Sequence, residues 1–177
     1  MSEYSGRLIT GPPSKSPIAR FRPIVFLVTP LVAILFQVYV ARFLDVLSFM
    51  DLPLLVTVYF ALMRRSQIHG MFLGSAIGLV QDSLSHQPIG IFGIVKTLVG
   101  YFSASMSQRF DVENNAIRFV LGFFFYFFHQ LLYWVLVRAL LGQPGEFSLQ
   151  RELLLALLNA LVAMPLFRLL DRLVDRG

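Results

Sequence analysis

The sequence predicts an all-α membrane protein with six transmembrane helices. Of its 177 residues, 56% are hydrophobic and only 14% are charged, and the mean hydropathy is +0.71. A soluble domain of this length needs more polar residues to cover its surface. The chain also has 18 phenylalanines and long runs without charge. These observations indicate that its surroundings are a lipid bilayer rather than water.

The chain divides into a polar tail and one membrane domain. Residues 1–22 are rich in Pro and Ser, and we expect them to form a poorly ordered N-terminal tail. The tail lacks a short apolar core followed by a small-residue cleavage site, so no cleaved signal peptide is predicted. Residues 23–177 are expected to form a single six-helix transmembrane domain.

Six apolar segments are candidates for membrane-spanning helices. A span needs roughly 20 mostly apolar residues, or fewer where a helix is tilted or packed inside a bundle. The second segment is short, so we expect either that it extends through Arg64 and Arg65 or that the first helix bends and ends later. The segments are Pro23 to Phe43, Leu52 to Met63, Gly70 to Leu84, Pro88 to Met106, Ala116 to Leu141 and Leu149 to Leu170.

The distribution of basic residues predicts that both termini are cytoplasmic. Loops on one side of the six segments, "DVLSFMD", "SHQP" and "GQPGEFS", contain no Lys or Arg, whereas cytoplasmic flanks usually carry an excess of them. With an odd number of spans, such as five, the basic C-terminus would lie on the opposite side of the membrane from the cytoplasm. Eleven of the 15 basic residues flank the other side: Arg7, Lys15, Arg20, Arg22, Arg64, Arg65, Arg109, Arg118, Arg168, Arg172 and Arg176.

Several functional classes are disfavoured by composition and motif content. The net charge is +5, but the basic residues lie at the ends of apolar segments rather than along one stripe, so no nucleic-acid partner is predicted. Without cysteine there is no disulfide, thiolate metal site or cysteine nucleophile. The sequence contains no HExxH, GxSxG or Walker-type motif, and its three histidines lie on separate segments. We therefore predict neither an enzyme nor a bound cofactor or metal.

The third segment carries small residues at a regular spacing. Gly70, Gly74, Gly78 and Asp82 are four residues apart and share nearly one helix face. Glycines at this spacing let two helix backbones approach closely in lipid. The face is therefore predicted to serve helix packing, and a partner-binding use is left open.

Asp82 admits two interpretations. A carboxylate in hydrocarbon costs roughly 2.5–3.5 kcal/mol unless it is paired or hydrated, so Asp82 could bind a partner, an ion or a proton. Alternatively it caps the next helix, with Pro88 at that helix's first position after the turn "SHQP". The capping interpretation is slightly favoured.

The fourth segment presents a similar face. Gly90, Gly93, Lys96 and Gly100 share it, and we expect these residues to serve helix packing or partner binding. In an antiparallel hairpin Lys96 would lie about five residues deeper than Asp82, an offset of roughly 7–8 Å. A long lysine can partly span that offset, so an Asp82–Lys96 ion pair is a second hypothesis.

The fifth segment contains a polar notch in an aromatic surface. Tyr126, His129, Gln130 and Tyr133 form it, and Asn159 is a polar residue in the sixth segment. The notch could be a ligand pocket, but hydrogen bonding between helices is the more frequent use of such residues in membranes.

A known family shares these motifs. The pattern G-x3-G-x3-D-x7-G, from Gly74 through Gly78 and Asp82 to Gly90, resembles the core signature of the rod shape-determining protein MreD family. The similar region covers Gly70 to Tyr101, and the last helix with Asn159 resembles the family less specifically.

The resemblance implies a non-enzymatic scaffold in the bacterial inner membrane. Such proteins bind an MreC-like protein and help link MreB filaments to peptidoglycan synthases, which maintains rod shape during elongation. The resemblance also implies a bundle similar to the S components of energy-coupling-factor transporters. The alternative function is therefore a vitamin-binding transporter subunit, and a third is assembly of some other membrane complex. Short outer loops and the aromatic faces of the fifth helix favour protein or lipid contacts. A homodimer is left open.

Overall fold

The computed structural model describes residues 20–21, 23–39, 48–85, 88, 90–142 and 147–175. The described residues form a bundle of six helices and one pair of two-residue strands. The helices are α1 Pro23–Tyr39, α2 Leu52–Arg64, α3 Gln67–Leu84, α4 Ile91–Met106, α5 Asn115–Leu141 and α6 Leu149–Asp171, and the strands are β1 Arg20–Phe21 and β2 Val174–Asp175.

The prediction of six helices is confirmed. Most boundaries lie within three residues of those expected from the apolar segments, and residues 40–43, predicted to end the first helix, lie outside the described residues. Most of the predicted tail, residues 1–19 and 22, is also outside them. Strand β1 pairs antiparallel with β2, which brings the beginning and end of the described chain together.

Two of the helices, α5 and α6, are long and apolar enough to cross a membrane. The shorter apolar helices are Ile24–Tyr39, Leu52–Arg64 and Ile91–Met106. Many large apolar side chains point outward, among them Leu27 at 74% exposure and Phe72 at 73%. Such surfaces are normal for a bundle that contacts lipid.

Helix α2 lies at the centre of the bundle. Every residue from Pro53 to Met63 is buried, and α2 contacts each of the other five helices. The helix begins at the N-cap Asp51, whose carboxylate accepts the N–H of Leu54, and it ends with Arg65 in the left-handed conformation. A helix enclosed by protein needs no long lipid-facing surface. This position explains why its apolar segment is short, and α2 does not continue through Arg65.

Helices α3 and α4 pack backbone against backbone along a line that we call the glycine seam: Gly70, Gly74 and Gly78 of α3 against Phe92, Lys96 and Gly100 of α4. A Cβ added to Gly74 would lie 2.0 Å from the carbonyl oxygen of Lys96, and one added to Gly78 would lie 2.3 Å from that of Phe92. At Gly70 the corresponding distance to the Gly100 oxygen is 2.4 Å. No side chain fits at these three positions unless one helix moves away.

We predict that Gly74→Ala destabilises the bundle by about 3 kcal/mol or more, at the upper end of overpacking costs, because a fixed backbone carbonyl blocks the added methyl group. Gly122→Ala is the matched control. Its added Cβ would lie 3.3 Å from the Cβ of Ala163, which is a close but side-chain contact. Thermal or denaturant unfolding of the purified chain in detergent measures both. Equal stability of the two variants would contradict the seam's importance.

Candidate functional site: a buried ionic cluster at one end of the bundle

Lys96 of α4 forms an ion pair with Asp51, the N-cap of α2. The Lys96 side chain is fully buried, and its ammonium donates to Oδ1 of Asp51 at 3.2 Å and to Oδ2 at 3.1 Å. The expected partner was Asp82, so the hypothesis of an Asp82–Lys96 ion pair is wrong. The physical reason is the central position of α2, whose first turn lies beside α4 and brings a second carboxylate within closer reach.

Asp82 caps α4 instead. Its carboxylate accepts the backbone N–H groups of Gly90 at 2.9 Å, Gly93 at 3.1 Å and Phe92 at 3.2 Å, and the residue is 1% exposed. These donors are among the N–H groups that the first turn of a helix leaves unpaired. Of the two interpretations of Asp82 drawn from the sequence, the structure agrees with the one in which it caps the next helix.

The expected start of α4 at Pro88 is wrong. Pro88 is exposed and precedes the helix, which has Gly90 as its N-cap and Ile91 as its first residue. Gly90 has φ +106°, a conformation that residues with a side chain rarely adopt. The chain turns at this glycine because Asp82 binds the N–H groups on both sides of the turn, and so the helix begins after Gly90.

His129 of α5 lies beside the ion pair. Its Nε2 is 3.5 Å from the Lys96 ammonium and 3.8 Å from Oδ2 of Asp51, and the residue is 1% exposed. The ring stacks on Phe92 with 5.9 Å between centroids and 9° between planes. The ammonium, the carboxylate and the imidazole thus lie within 4 Å of one another in the interior of the bundle.

Asn159 of α6 holds the other side of Asp51. Its Oδ1 accepts the Asp51 N–H at 2.9 Å, and its Nδ2 donates to the carbonyls of Phe49 and Leu155, each at 2.9 Å. Asn159 is fully buried. We call Asp51, Lys96, His129 and Asn159 the Asp51 junction, since they connect α2, α4, α5 and α6 at one point.

The residues of the predicted polar notch contact neighbouring side chains. Gln130 donates to the hydroxyl of Tyr126 at 3.0 Å, whereas Tyr133 stacks on Phe92 with 5.1 Å between centroids. His129 belongs to the Asp51 junction, as does Asn159. His129 stacks on the same Phe92 as Tyr133, so the two residues share one contact on α4.

Asp51 was not singled out in the sequence, although a signal was present. "DLP" directly before an apolar run places an N-cap residue and a proline at the start of a helix. A buried lysine also requires a carboxylate partner.

The surroundings of Asp51 favour its charged form. Burial on its own raises the pKa of the Asp51 carboxyl, but the Lys96 ammonium and the Leu54 N–H outweigh it and lower the pKa below its ordinary value.

A second ion pair at the opposite end of the bundle was also missed. Arg118 at the start of α5 binds both carboxylate oxygens of Asp171 at the end of α6, and its Nε donates to the Val112 carbonyl at 2.6 Å. The hydroxyl of Tyr59, on α2, donates to the same Asp171 at 2.8 Å. Sequence spacing cannot indicate this pair, since 53 residues separate its members.

The chemistry of the Asp51 junction is that of a structural connection. The charges of Lys96 and Asp51 balance each other, Lys96 donates to the Asp51 carboxylate, and Asn159 bonds to neighbouring backbone groups. Among the described residues, no three His, Cys, Asp or Glu side chains are arranged to hold a metal ion.

Comparison with known proteins identifies one family. The family model described as rod shape-determining protein MreD matches residues 19–174, which is nearly the whole chain. No curated protein and no solved structure matches this chain.

We predict that Lys96→Met destabilises the protein by about 3–5 kcal/mol, because it leaves the Asp51 carboxylate without its cation in a buried site. Adding Asp51→Asn, which keeps the N-cap oxygen, should recover part of that loss. Equilibrium unfolding in detergent of the two single variants and the double variant gives the coupling free energy.

The matched control is the same set of single and double variants with Asp82→Asn in place of Asp51→Asn. Because Asp82 binds backbone N–H groups rather than Lys96, its coupling to Lys96→Met should be small beside that of Asp51. A larger coupling for Asp82 would show that the ion pair is assigned to the wrong carboxylate.

Proposed function

The chain belongs to the rod shape-determining protein MreD family, and on that premise we propose that it is a multi-pass scaffold of the bacterial cell-elongation machinery. The family's role in determining rod shape applies to it. We further propose that it lies in the inner membrane with six spans and cytoplasmic termini. Its task there is to bind an MreC-like protein and link MreB filaments to peptidoglycan synthases.

The family match over residues 19–174 is the observation that carries this proposal. It covers all six helices, so the proposed role belongs to the whole bundle rather than to one segment. The family is one of structural shape-determination proteins. The interior agrees with that role, because the polar groups of the Asp51 junction are used in contacts between helices.

The membrane placement is supported by the outer surface and by the two chain ends. Large apolar side chains are exposed along α1, α3 and α6, for example Leu27, Phe72 and Leu161. Strands β1 and β2 bring the two described chain ends together, as an even number of spans requires. The basic flanks of the apolar segments favour the cytoplasmic side for those ends.

Partner binding is proposed at the exposed helix faces. The glycine seam and the Asp51 junction hold the bundle from within and leave its lipid-facing surfaces free. A single-pass helix of an MreC-like protein would pack there through close contacts between side chains, as helices do in lipid.

A vitamin-binding subunit makes a different demand on the interior. Such a protein needs polar groups that line a cavity and remain available to a small molecule. Here Lys96 is 0% exposed, His129 is 1% exposed, and both contact neighbouring helices. We therefore do not propose a transport function.

Depletion of this chain in its native rod-shaped host tests the proposed role. We expect cells to round or swell, and we expect the wild-type gene, but no added vitamin, to restore the rod shape under the microscope. Normal shape in depleted cells, with growth restored by one vitamin, would contradict the scaffold and favour transport.

A second prediction links the glycine seam to partner capture. Gly78→Leu should abolish close packing of α3 on α4 and reduce co-purification of the MreC-like partner about tenfold or more, since the docking faces depend on the bundle's geometry. Co-expression and affinity purification from the membrane measure it.

The matched control is Ala76→Leu, which adds a large side chain at an exposed position on the same helix. Its thermal stability should equal that of the wild type. Wild-type recovery of the partner by Gly78→Leu would count against the proposed dependence of docking on the seam.

A further inference from the structure

The last two turns of α6 form a groove on the surface of the bundle. Its volume is about 340 Å³, and it is lined by Met164, Pro165, Arg168, Leu169 and Arg172. Arg168 and Arg172 are exposed and lie four residues apart, so they share one face, with their backbone positions about 6 Å apart along the helix axis. Like charges at this spacing repel each other, and an anion bound beside them relieves that repulsion.

The nearest acidic side chain does not neutralise these arginines. Asp171 lies between them in sequence, but its carboxylate binds Arg118 and the hydroxyl of Tyr59. Among the side chains that the structure describes, neither Arg168 nor Arg172 forms an ion pair. The groove therefore has two positive charges that the Asp171 carboxylate does not neutralise.

The whole end of the bundle around the groove is basic. Contacts from Gln67 to Ser105, from Gln108 to the Arg65 carbonyl and from Arg118 to Asp171 show that these helix ends lie together. The described arginines of this end are Arg20, Arg64, Arg65, Arg109, Arg118, Arg168 and Arg172, and its described acids are Asp111, Glu113, Asp171 and Asp175. An anion approaching this end is attracted by the summed field as well as by the two groove arginines.

The groove changes character along α6. Arg172, Arg168 and Leu169, which is 57% exposed, lie at the end of the helix, while Pro165 and Met164 continue toward its middle. Helix α6 is itself apolar enough to cross a bilayer. A ligand that fits this order has an anionic head at the end of the bundle and an apolar chain along the helix.

We propose that this groove binds an anionic phospholipid. The phosphate accepts hydrogen bonds from the guanidinium groups of Arg168 and Arg172, and an acyl chain packs on Leu169, Pro165 and Met164. Charge complementarity selects the anionic head, and the apolar floor selects a lipid over a free phosphate. The inference rests on the proposed membrane placement but not on the scaffold role.

The test is lipid binding by the full chain, purified in detergent and titrated with phosphatidylglycerol or with phosphatidylcholine of the same acyl chains, followed by native mass spectrometry. The wild type should bind phosphatidylglycerol in preference. Removing both charges in Arg168→Gln/Arg172→Gln should weaken that binding about 30-fold, as expected for two arginines at an anionic surface.

Arg151→Gln is the matched control. Arg151 is an exposed arginine at the other end of the same helix, and it also lines a groove, with Phe49, Leu154 and Leu155. Its substitution should change phosphatidylglycerol binding less than about threefold. A loss as large as that of the double variant would overturn the site in favour of a general effect of charge.

Two further measurements distinguish other occupants. Leu169→Gln should weaken binding of phosphatidylglycerol but not of glycerol 3-phosphate, and equal binding of both probes by the wild type would overturn the lipid assignment. If Arg168→Gln/Arg172→Gln instead loses a dimer in the same spectra and keeps its lipid, the groove contacts a second copy.

The double variant Arg168→Lys/Arg172→Lys keeps the charge and should retain most of the lipid binding. Loss of lipid binding by this variant while it remains folded would overturn the assignment to an electrostatic site.

Cell shape distinguishes this proposal from the scaffold role. A variant that loses lipid binding but keeps normal cell shape does not contradict the scaffold role. A variant that loses normal cell shape but keeps lipid binding does not contradict the lipid-binding groove.

Discussion

The ion pair between Lys96 and Asp51 is the interaction on which the rest of the bundle depends. A fully buried ammonium is tolerated only where a carboxylate and further hydrogen bonds compensate its lost hydration. Asp51 provides that carboxylate while it also caps α2, and its backbone N–H is held by Asn159 of α6. One residue thus fixes the start of the central helix relative to α4 and α6. Ion pairs of this kind stabilise less than their Coulomb energy indicates, but removing one partner is costly because the other charge stays buried and unpaired.

The glycine seam holds Lys96 at the position that this ion pair requires. Gly74 of α3 lies directly against the carbonyl of Lys96, so the seam fixes the height of Lys96 along α4. Asp82 fixes the same helix from its N-terminus through three backbone N–H groups. A shift of α4 by one residue, about 1.5 Å, would disturb the seam, the cap and the ion pair together. The three features together therefore specify one register between α3 and α4. Less directional contacts would define that register less well.

Much of this fold is readable from the sequence, because helices in lipid are long apolar segments. The six helices and the close packing at Gly70, Gly74 and Gly78 follow from composition and from a spacing of four residues. The partner of Lys96 does not follow, since it depends on the enclosure of α2, a tertiary arrangement that local spacing does not contain. The same limit applies to Arg118 and Asp171. The start of α4 differs from the expected one for a local reason, because the helix begins at the glycine turn that Asp82 stabilises rather than at Pro88.

The two ion pairs lie at opposite ends of the bundle and act on the same central helix. Asp51 is the N-cap of α2, and Tyr59, farther along α2, reaches the Arg118–Asp171 pair through its hydroxyl. Helix α2 is therefore attached by polar contacts toward both ends and by apolar packing between them. Sliding of α2 within the bundle would separate Asp51 from Lys96 and the Tyr59 hydroxyl from Asp171, and separating the buried ion pair alone costs several kcal/mol. A core fixed in this way holds the exposed helix faces, where partner docking is proposed, in one arrangement.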